Sequence, residues 1–219
     1  LALGMVMLYS AGMATGGARY LMMQLVWGGL GLAVCFAATS IDYRFLQRFA
    51  MPLFMGTLVL LVLVLIPGIG IKLNGARRWF DLGPMNFQPS ELAKITLLIA
   101  IAAWADEHVK KMREFRHGLL LPGAFIGLTL GLVFLGPDFG TTMLLATVCC
   151  ILLFVAGTHW KYLIPPMGAG VAAITVAIMN DPVRMRRITA FLHPEQHRED
   201  TGFQAYQAML ALGSGGSTG

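Results

Sequence analysis

Residues 75–94, "GARRWFDLGPMNFQPSELAK", stand between two long apolar runs and are unlike an ordinary loop between membrane helices. They combine charged side chains of both signs with aromatic residues and two prolines. The runs on either side approach the roughly 20 residues that a helix needs to cross a bilayer. The stretch therefore predicts a polar, structured segment set between two membrane-spanning helices.

The composition of the whole chain supports a membrane protein. Apolar residues make up 57% of the chain and charged residues 12%, against about a quarter charged in soluble domains. Backbone groups in lipid must be paired within the segment, which favours helices over open strands. We therefore predict an all-α polytopic membrane protein that forms a single integral membrane domain over 1–219. The predicted spans are 1–15, 20–40, 49–67, 90–106, 118–136, 140–157 and 161–179.

The orientation of these spans follows from the basic residues in the short loops. Arginine and lysine are concentrated at 41–48, in a basic loop at 106–117 and at 158–161. The positive-inside rule places these loops in the cytoplasm. The outer face then holds outer loop 1 at 68–89 and a large outer loop at 180–219, which includes a short re-entrant or interfacial helix.

The outer face nevertheless carries many cations of its own. They are Lys72, Arg77, Arg78, Arg184, Arg186, Arg187 and Arg198. Topology does not account for them, whereas a phosphate-bearing ligand at the membrane surface would, because arginine pairs bidentately with phosphate oxygens. The net charge of +5 is thus assigned to topology and an anionic ligand rather than to nucleic acid.

Three charged residues near the predicted helix starts have two interpretations each. After Pro89, either Ser90 or the preceding turn is expected to cap a helix, and Glu91 suits its positive end. Lys94 lies on the same helix face as Glu91, so a Glu–Lys pair lining a polar cavity is favoured over a simple cap. Asp138, between two spans, is equally compatible with a turn or N-cap and with a functional role.

The histidines of the last loop do not make a convincing metal site. His193 and His197 stand among acidic residues, but their spacing is loose. A solvated loop is the preferred interpretation, and no metal ligand is assigned.

Four ordered motifs are similar to those of a known family. They are the opening stretch, "GPDFGTT" (136–142), "RRITAFLHPE" (186–195) and "GFQAYQAMLALGSGG" (202–216). Together they resemble the SEDS family (shape, elongation, division and sporulation), which includes FtsW, RodA and SpoVE. "LYSAG", "IDYR" and "ELAKI" look more like the division branch, FtsW, than like the elongation branch.

The resemblance implies a fold and an activity. Members are bundles of about ten helices in the bacterial cytoplasmic (inner) membrane, so this chain is expected to be truncated at both ends. They are peptidoglycan glycosyltransferases that polymerise lipid II, an undecaprenyl-pyrophosphate-linked substrate, on the outer face in division or elongation. Implied partners are a class B penicillin-binding protein and other divisome or elongasome membrane proteins. Whether a divalent cation assists is left open, and no other cofactor is implied.

Two other functions stay open. A lipid II flippase or transporter should show internal repeats and half-helices that meet at mid-membrane, and neither is visible in the sequence. A non-catalytic divisome scaffold that activates its partner is kept open by one departure from the family pattern, at His197.

The resemblance also implies the site residues. Arg77 and Arg78 would face the lipid pyrophosphate, and Glu91 and Lys94 would form the polar wall of a cavity below. The remaining implied substrate-binding residues are Asp138, Arg187 and Gln204.

The family's catalytic residue is an aspartate shortly before the "GFQ" motif. An alignment without a gap places His197 there, with Glu199 and Asp200 following. Asp200 is the preferred catalytic residue, and His197 and Glu199 are the alternatives.

Overall fold

Helices dominate the computed structural model, which describes residues 2–12, 17–73, 76–83, 86–192, 195 and 202–215. In these ranges the helices are α1 (Ala2–Gly12), α2 (Gly17–Thr39), α3 (Tyr43–Leu65), α4 (Pro89–Glu107), α5 (Leu121–Leu135), α6 (Phe139–Val155), α7 (Trp160–Met179), α8 (Pro182–Leu192) and α9 (Phe203–Gly215). The described residues between α3 and α4 form three strands, namely β1 (Ile71–Leu73), β2 (Ala76–Asp81) and β3 (Asn86–Phe87). A 3-10 turn, Val109–Lys111, and a π-helical turn, Arg116–Leu120, connect α4 to α5.

The helices α1 to α7 coincide with the seven apolar segments of the sequence analysis. Among the described residues, four helical segments are long and apolar enough to cross a membrane: Arg19–Thr39, Tyr43–Leu65, Arg116–Leu135 and Trp160–Met179. The helix α6 is equally apolar but has 17 residues, and α4 contains four charged residues. The protein is a helical, multi-pass membrane protein, while the predicted number of spans stays a prediction.

The core lies between α3, α4, α5 and α6. Phe54, Leu97, Ile101 and Leu145 are almost completely buried there. Buried small residues on α4, among them Ala100, let neighbouring helices approach closely, as is usual in membrane bundles. In contrast, α2 buries none of the residues of its apolar window.

A small antiparallel sheet occupies outer loop 1, where the sequence analysis placed only a loop. The strand order is β1-β2-β3. Lys72 pairs with Arg77 and Ile71 with Trp79, so the register shifts by one residue and Arg78 is the extra residue of a bulge. Bulges re-aim side chains and are frequent beside functional sites. We call the end of the bundle that carries this sheet the sheet end.

The opposite end is closed by a contact between the π-helical turn and the chain that follows α6. After α6 the backbone turns at Gly157, whose φ of +98° is the left-handed conformation typical of a helix C-terminus. Thr158 is then buried, and its Oγ1 donates a hydrogen bond to the carbonyl oxygen of Gly118 at 3.0 Å. Met112 is also buried here.

Gly118 leaves no room for a side chain at this contact. A Cβ at this position would run into the carbonyl oxygen of Met112 and lie 3.3 Å from Cγ2 of Thr158. We expect Gly118→Ala to lower the free energy of unfolding by about 1–3 kcal/mol, the usual cost of overpacking. The measurement is thermal unfolding of the full-length protein in detergent, where each kcal/mol lowers Tm by roughly 2–4 °C.

Gly127→Ala in α5 is the matched control, because a Cβ there meets no atom within 4 Å. Alanine is the better helix former, so this variant should melt at or above the temperature of the wild type. Equal Tm values for the two variants would contradict the close packing at Gly118.

Candidate functional site

Asp138 is the best-connected acidic residue at the sheet end. It is the N-cap residue of α6, where its Oδ1 accepts a hydrogen bond from the backbone N–H of Thr141 at 3.2 Å. Its side chain is only 13% exposed. A carboxylate is favoured at this position by the positive end of the helix dipole. The N-cap interpretation of Asp138 is confirmed.

The same carboxylate also binds the start of α4. Its Oδ2 accepts a hydrogen bond from Nε2 of Gln88 at 2.9 Å and one from Oγ of Ser90 at 3.4 Å. Gln88 is the N-cap residue of α4, although its side chain makes no capping bond. Of the two expected caps, the preceding turn takes the position, and Ser90 binds Asp138 instead.

The third partner of Asp138 comes from the sheet. Nη1 of Arg78 lies 3.7 Å from Oδ1 of Asp138, and the Arg78 side chain is 31% exposed. The bulge in β2 is what brings this residue out of the regular register. We call Arg78, Gln88, Ser90 and Asp138 the Asp138 network. It joins β2, the start of α4 and the start of α6, which are distant in sequence.

The space around the Asp138 network is small. A cavity of about 10 Å³ is lined by Arg77, Arg78, Ser90 and Asp138 together with apolar residues of α3, α4 and α5. A cavity of this size can hold at most about one water molecule. The geometry therefore favours a positioning role for Asp138, while its predicted contact with substrate stays a prediction.

Two cations of the sheet stand directly beside each other. Lys72 and Arg77 are directly opposite in the β1–β2 register, so their side chains share one face of the sheet. Within the described part of the chain neither forms an ion pair. Like charges at such positions are destabilising, and an anion between them would remove that cost. Lys72 and Arg77, the sheet cation pair, are thus a candidate anion site.

The predicted pairing of Glu91 with Lys94 is present. Nζ of Lys94 donates to Oε1 of Glu91 at 2.8 Å. The Lys94 side chain is 29% exposed and that of Glu91 is 59% exposed. The pair therefore lies on the open face of α4, in the first turns of the helix. Its role as the wall of a polar cavity stays a prediction.

A second arginine ties α8 to the same end of α6. Nε of Arg184 lies 3.1 Å from Oδ2 of Asp181, and Nη1 donates to the carbonyl oxygen of Ala177 at 3.2 Å. The guanidinium lies 4.5 Å from the ring centroid of Phe139, a cation–π distance. Because Phe139 follows Asp138, α8 begins beside the Asp138 network.

The remaining predicted site residues either are exposed or lie outside the described ranges. Arg187 in α8 and Gln204 in α9 are exposed. The three catalytic candidates, His197, Glu199 and Asp200, fall outside the residues that the structure describes. The structure thus brings Arg78 and Asp138 together and sets Arg184 nearby. Sequence reasoning missed Gln88 and the pairing of Lys72 with Arg77.

The similarity to known proteins extends over the whole chain. The model of the cell cycle protein family of FtsW, RodA and SpoVE matches residues 1–219. The chain belongs to the FtsW/RodA/SpoVE family. A relative from Geobacter sulfurreducens, named a probable peptidoglycan glycosyltransferase FtsW, is 40% identical over 222 residues, which are 99% of this chain and 60% of the relative. The chain thus spans about 60% of the length of the curated relatives that it matches.

Solved structures of the FtsW/RodA/SpoVE family have the same fold. One, titled for the coordination of polymerization and crosslinking by a peptidoglycan synthase complex, is 32% identical with a TM-score of 0.69 and covers 99% of this chain and 66% of that chain. The rod shape determining protein RodA of Thermus thermophilus is 33% identical with a TM-score of 0.59, covering 81% and 59%. The similarity identifies the membrane fold and the family from sequence and structure alike.

Proposed function

We propose that the protein is a peptidoglycan glycosyltransferase that polymerises lipid II into glycan strands in cell division or elongation. The observation that carries the proposal is the sheet cation pair, Lys72 and Arg77, at the sheet end of a chain whose relatives are named peptidoglycan glycosyltransferases. Two neighbouring cations suit a pyrophosphate, which presents several anionic oxygens to lysine and arginine. The relatives named FtsW favour the division branch.

The arrangement of the helices supports an active site on the outer face of the cytoplasmic membrane. Contacts of the Asp138 network place the start of α4 and the start of α6 at the sheet end. The basic loops at 41–48, 106–117 and 158–161 belong to the opposite end. Under the positive-inside rule that end is cytoplasmic, and the sheet end faces outwards.

The chemistry of the proposed reaction calls for a base and for positive charge. The acceptor sugar hydroxyl attacks the anomeric carbon of the donor, the base takes its proton, and the lipid pyrophosphate leaves. Cations near the leaving group stabilise the charge that develops on it. The sheet cation pair and the positive ends of α4 and α6 lie at the end where this charge would appear. Asp200 is the proposed base.

The proposal includes a partner that crosslinks the strands. One solved relative belongs to a peptidoglycan synthase complex whose title couples polymerization with crosslinking. We infer that this protein likewise acts with a class B penicillin-binding protein. Within the described ranges no three His, Cys, Asp or Glu side chains form a group that could hold a metal ion, and no step is derived through one. Assistance by a divalent cation stays a prediction.

The test is polymerisation of fluorescent lipid II by the full-length protein, purified with its partner synthase and followed on a gel. We expect long glycan products from the wild type. The double variant Lys72→Gln/Arg77→Gln should make them at least about tenfold more slowly, since one charge-assisted hydrogen bond contributes about 1.5–3 kcal/mol and 1.4 kcal/mol is a factor of ten.

The matched control is the double variant Lys110→Gln/Lys111→Gln, which removes two exposed cations at the opposite end. It should polymerise like the wild type. Wild-type protein that binds lipid II without making polymer would overturn the proposal in favour of the scaffold. Transfer of labelled lipid II across vesicles without polymer would overturn it in favour of the flippase.

A further inference from the structure

Two adjoining cavities lie at the opposite end of the bundle, between the start of α3 and the end of α4. The first has a volume of about 320 Å³ and is lined by Arg48, Met51, Trp104 and Glu107, among others. The second has about 610 Å³ and includes Tyr43, Arg44, Ile99 and Asp106. Gln47 and Ala103 line both cavities. They form one groove that is charged at its rim and apolar deeper down.

The first cavity contains two opposite charges, one from α3 and one from α4. Arg48 and Glu107 both line it, yet in the described ranges neither takes part in an ion pair or a side-chain hydrogen bond. Both side chains are exposed. The cavity thus offers a cation and an anion at the same time.

Asp106, the acidic residue of the second cavity, already accepts a hydrogen bond from another side chain. Nε2 of Gln47 donates a hydrogen bond to Oδ2 of Asp106 at 2.8 Å, which joins α3 to α4 across the groove. Arg44 stands beside the ring of Tyr43, 6.0 Å from its centroid. Glu107 is therefore the carboxylate of this groove with its oxygens free of protein hydrogen bonds in the described ranges.

The groove lies where phospholipid headgroups could reach it. The helix α3 is a candidate membrane span that begins here at Tyr43, so the charged rim falls where a membrane meets water. Below the rim the wall of the second cavity continues on α4 with Ile99, and the next residue along this face, Ile95, is 60% exposed. An apolar chain can follow this face while its headgroup stays at the rim.

We propose that the first cavity binds the headgroup of an ethanolamine phospholipid, with Arg48 on the phosphate and Glu107 on the ammonium. Ethanolamine and serine headgroups combine a phosphate with an ammonium that has N–H donors, and serine adds a carboxylate that Glu107 would repel. A choline headgroup has no N–H to donate to a carboxylate, and a glycerol headgroup brings no cation to Glu107. The occupant is set by charge complementarity and is independent of the proposed reaction.

The test is native mass spectrometry of the full-length protein after exposure to an equal mixture of phosphatidylethanolamine, phosphatidylcholine and phosphatidylglycerol with distinguishable acyl chains. We expect ethanolamine lipid to be retained about fivefold over each of the others, the ratio that one partly exposed charge pair of ~1 kcal/mol gives. Glu107→Gln should remove the preference over glycerol lipid, because the ammonium then loses its anionic partner, while the glutamine oxygen can still accept an N–H hydrogen bond. Arg48→Gln should lower retention of all three lipids.

Lys161→Gln is the matched control, since it removes an exposed cation at the same end without lining either cavity. It should retain the wild-type lipid ratios. A thermal unfolding curve for each variant separates lipid loss from misfolding. Equal retention of glycerol and ethanolamine lipids by the wild type, or an unchanged preference in folded Glu107→Gln, would overturn the proposal.

Discussion

Asp200→Asn is expected to abolish long glycan products made by the full-length protein with its partner synthase. A general base contributes about 10²–10⁴-fold to the rate, and asparagine keeps the size of the side chain while it loses the ability to accept a proton. The measurement is the initial rate of fluorescent lipid II polymerisation. Binding of lipid II should change little, because the proposed base would act only on the acceptor hydroxyl during bond formation.

The same assay distinguishes the three acidic and basic candidates of this segment. His197→Ala and Glu199→Gln should each retain a rate within about tenfold of the wild type, since neither is the preferred base. Thr201→Ala is the control, because it alters the adjacent position without removing a titratable group. Loss of activity in His197→Ala alone would mean that the histidine at the usual aspartate position performs the role. Normal rates in His197→Ala, Glu199→Gln and Asp200→Asn alike would contradict a catalytic base within 197–200.

Asp138→Ala is expected to destabilise the protein and to slow polymerisation. The variant loses the N-cap of α6, which contributes about 1 kcal/mol, and hydrogen bonds from Gln88 and Ser90 to a charged acceptor, which contribute about 1.5–3 kcal/mol. It also leaves Arg78 without its carboxylate. The total loss of about 2.5–4 kcal/mol corresponds to a fall in Tm of roughly 5–15 °C.

Two further variants locate the cause of that loss. Asp138→Asn still caps the helix almost as well as aspartate, so its Tm should fall by less. Thr142→Ala removes a hydroxyl that donates to the backbone carbonyl of Asp138 at 2.7 Å and leaves the side-chain network intact. Were Asp138→Ala to melt at the same temperature as Thr142→Ala, the network would not hold the sheet end together.

The helices were predictable from the sequence because each apolar segment is long enough to form a helix by itself in lipid. The sheet was missed, although "LNGA" (73–76) contains Asn-Gly, a strong hairpin signal when apolar residues flank it. The high hydropathy on both sides of this dipeptide is typical of membrane spans and outweighs the short hairpin signal. The pairing of Lys72 with Arg77 follows directly once the hairpin register is known.

The site was predictable where its residues are close in sequence. Glu91 and Lys94 lie three positions apart on one helix, and their pairing needs only helical geometry. The contact of Gln88 with Asp138 joins residues 50 positions apart, and no local sequence pattern predicts it. Asp138 was recognisable as a cap from its neighbours, but its link to Arg78 depends on a bulge that sequence alone does not reveal.

The contacts at the two ends of α6 fix how long that helix can be. Asp138 attaches one end to the sheet, and Thr158 attaches the other to Gly118. Deleting one residue between them would shorten the helix by about 1.5 Å and turn one end against the other by about 100°. Only one of the two attachments could then form, so α6 acts as a spacer of set length that tolerates exchanged side chains far better than inserted or deleted residues.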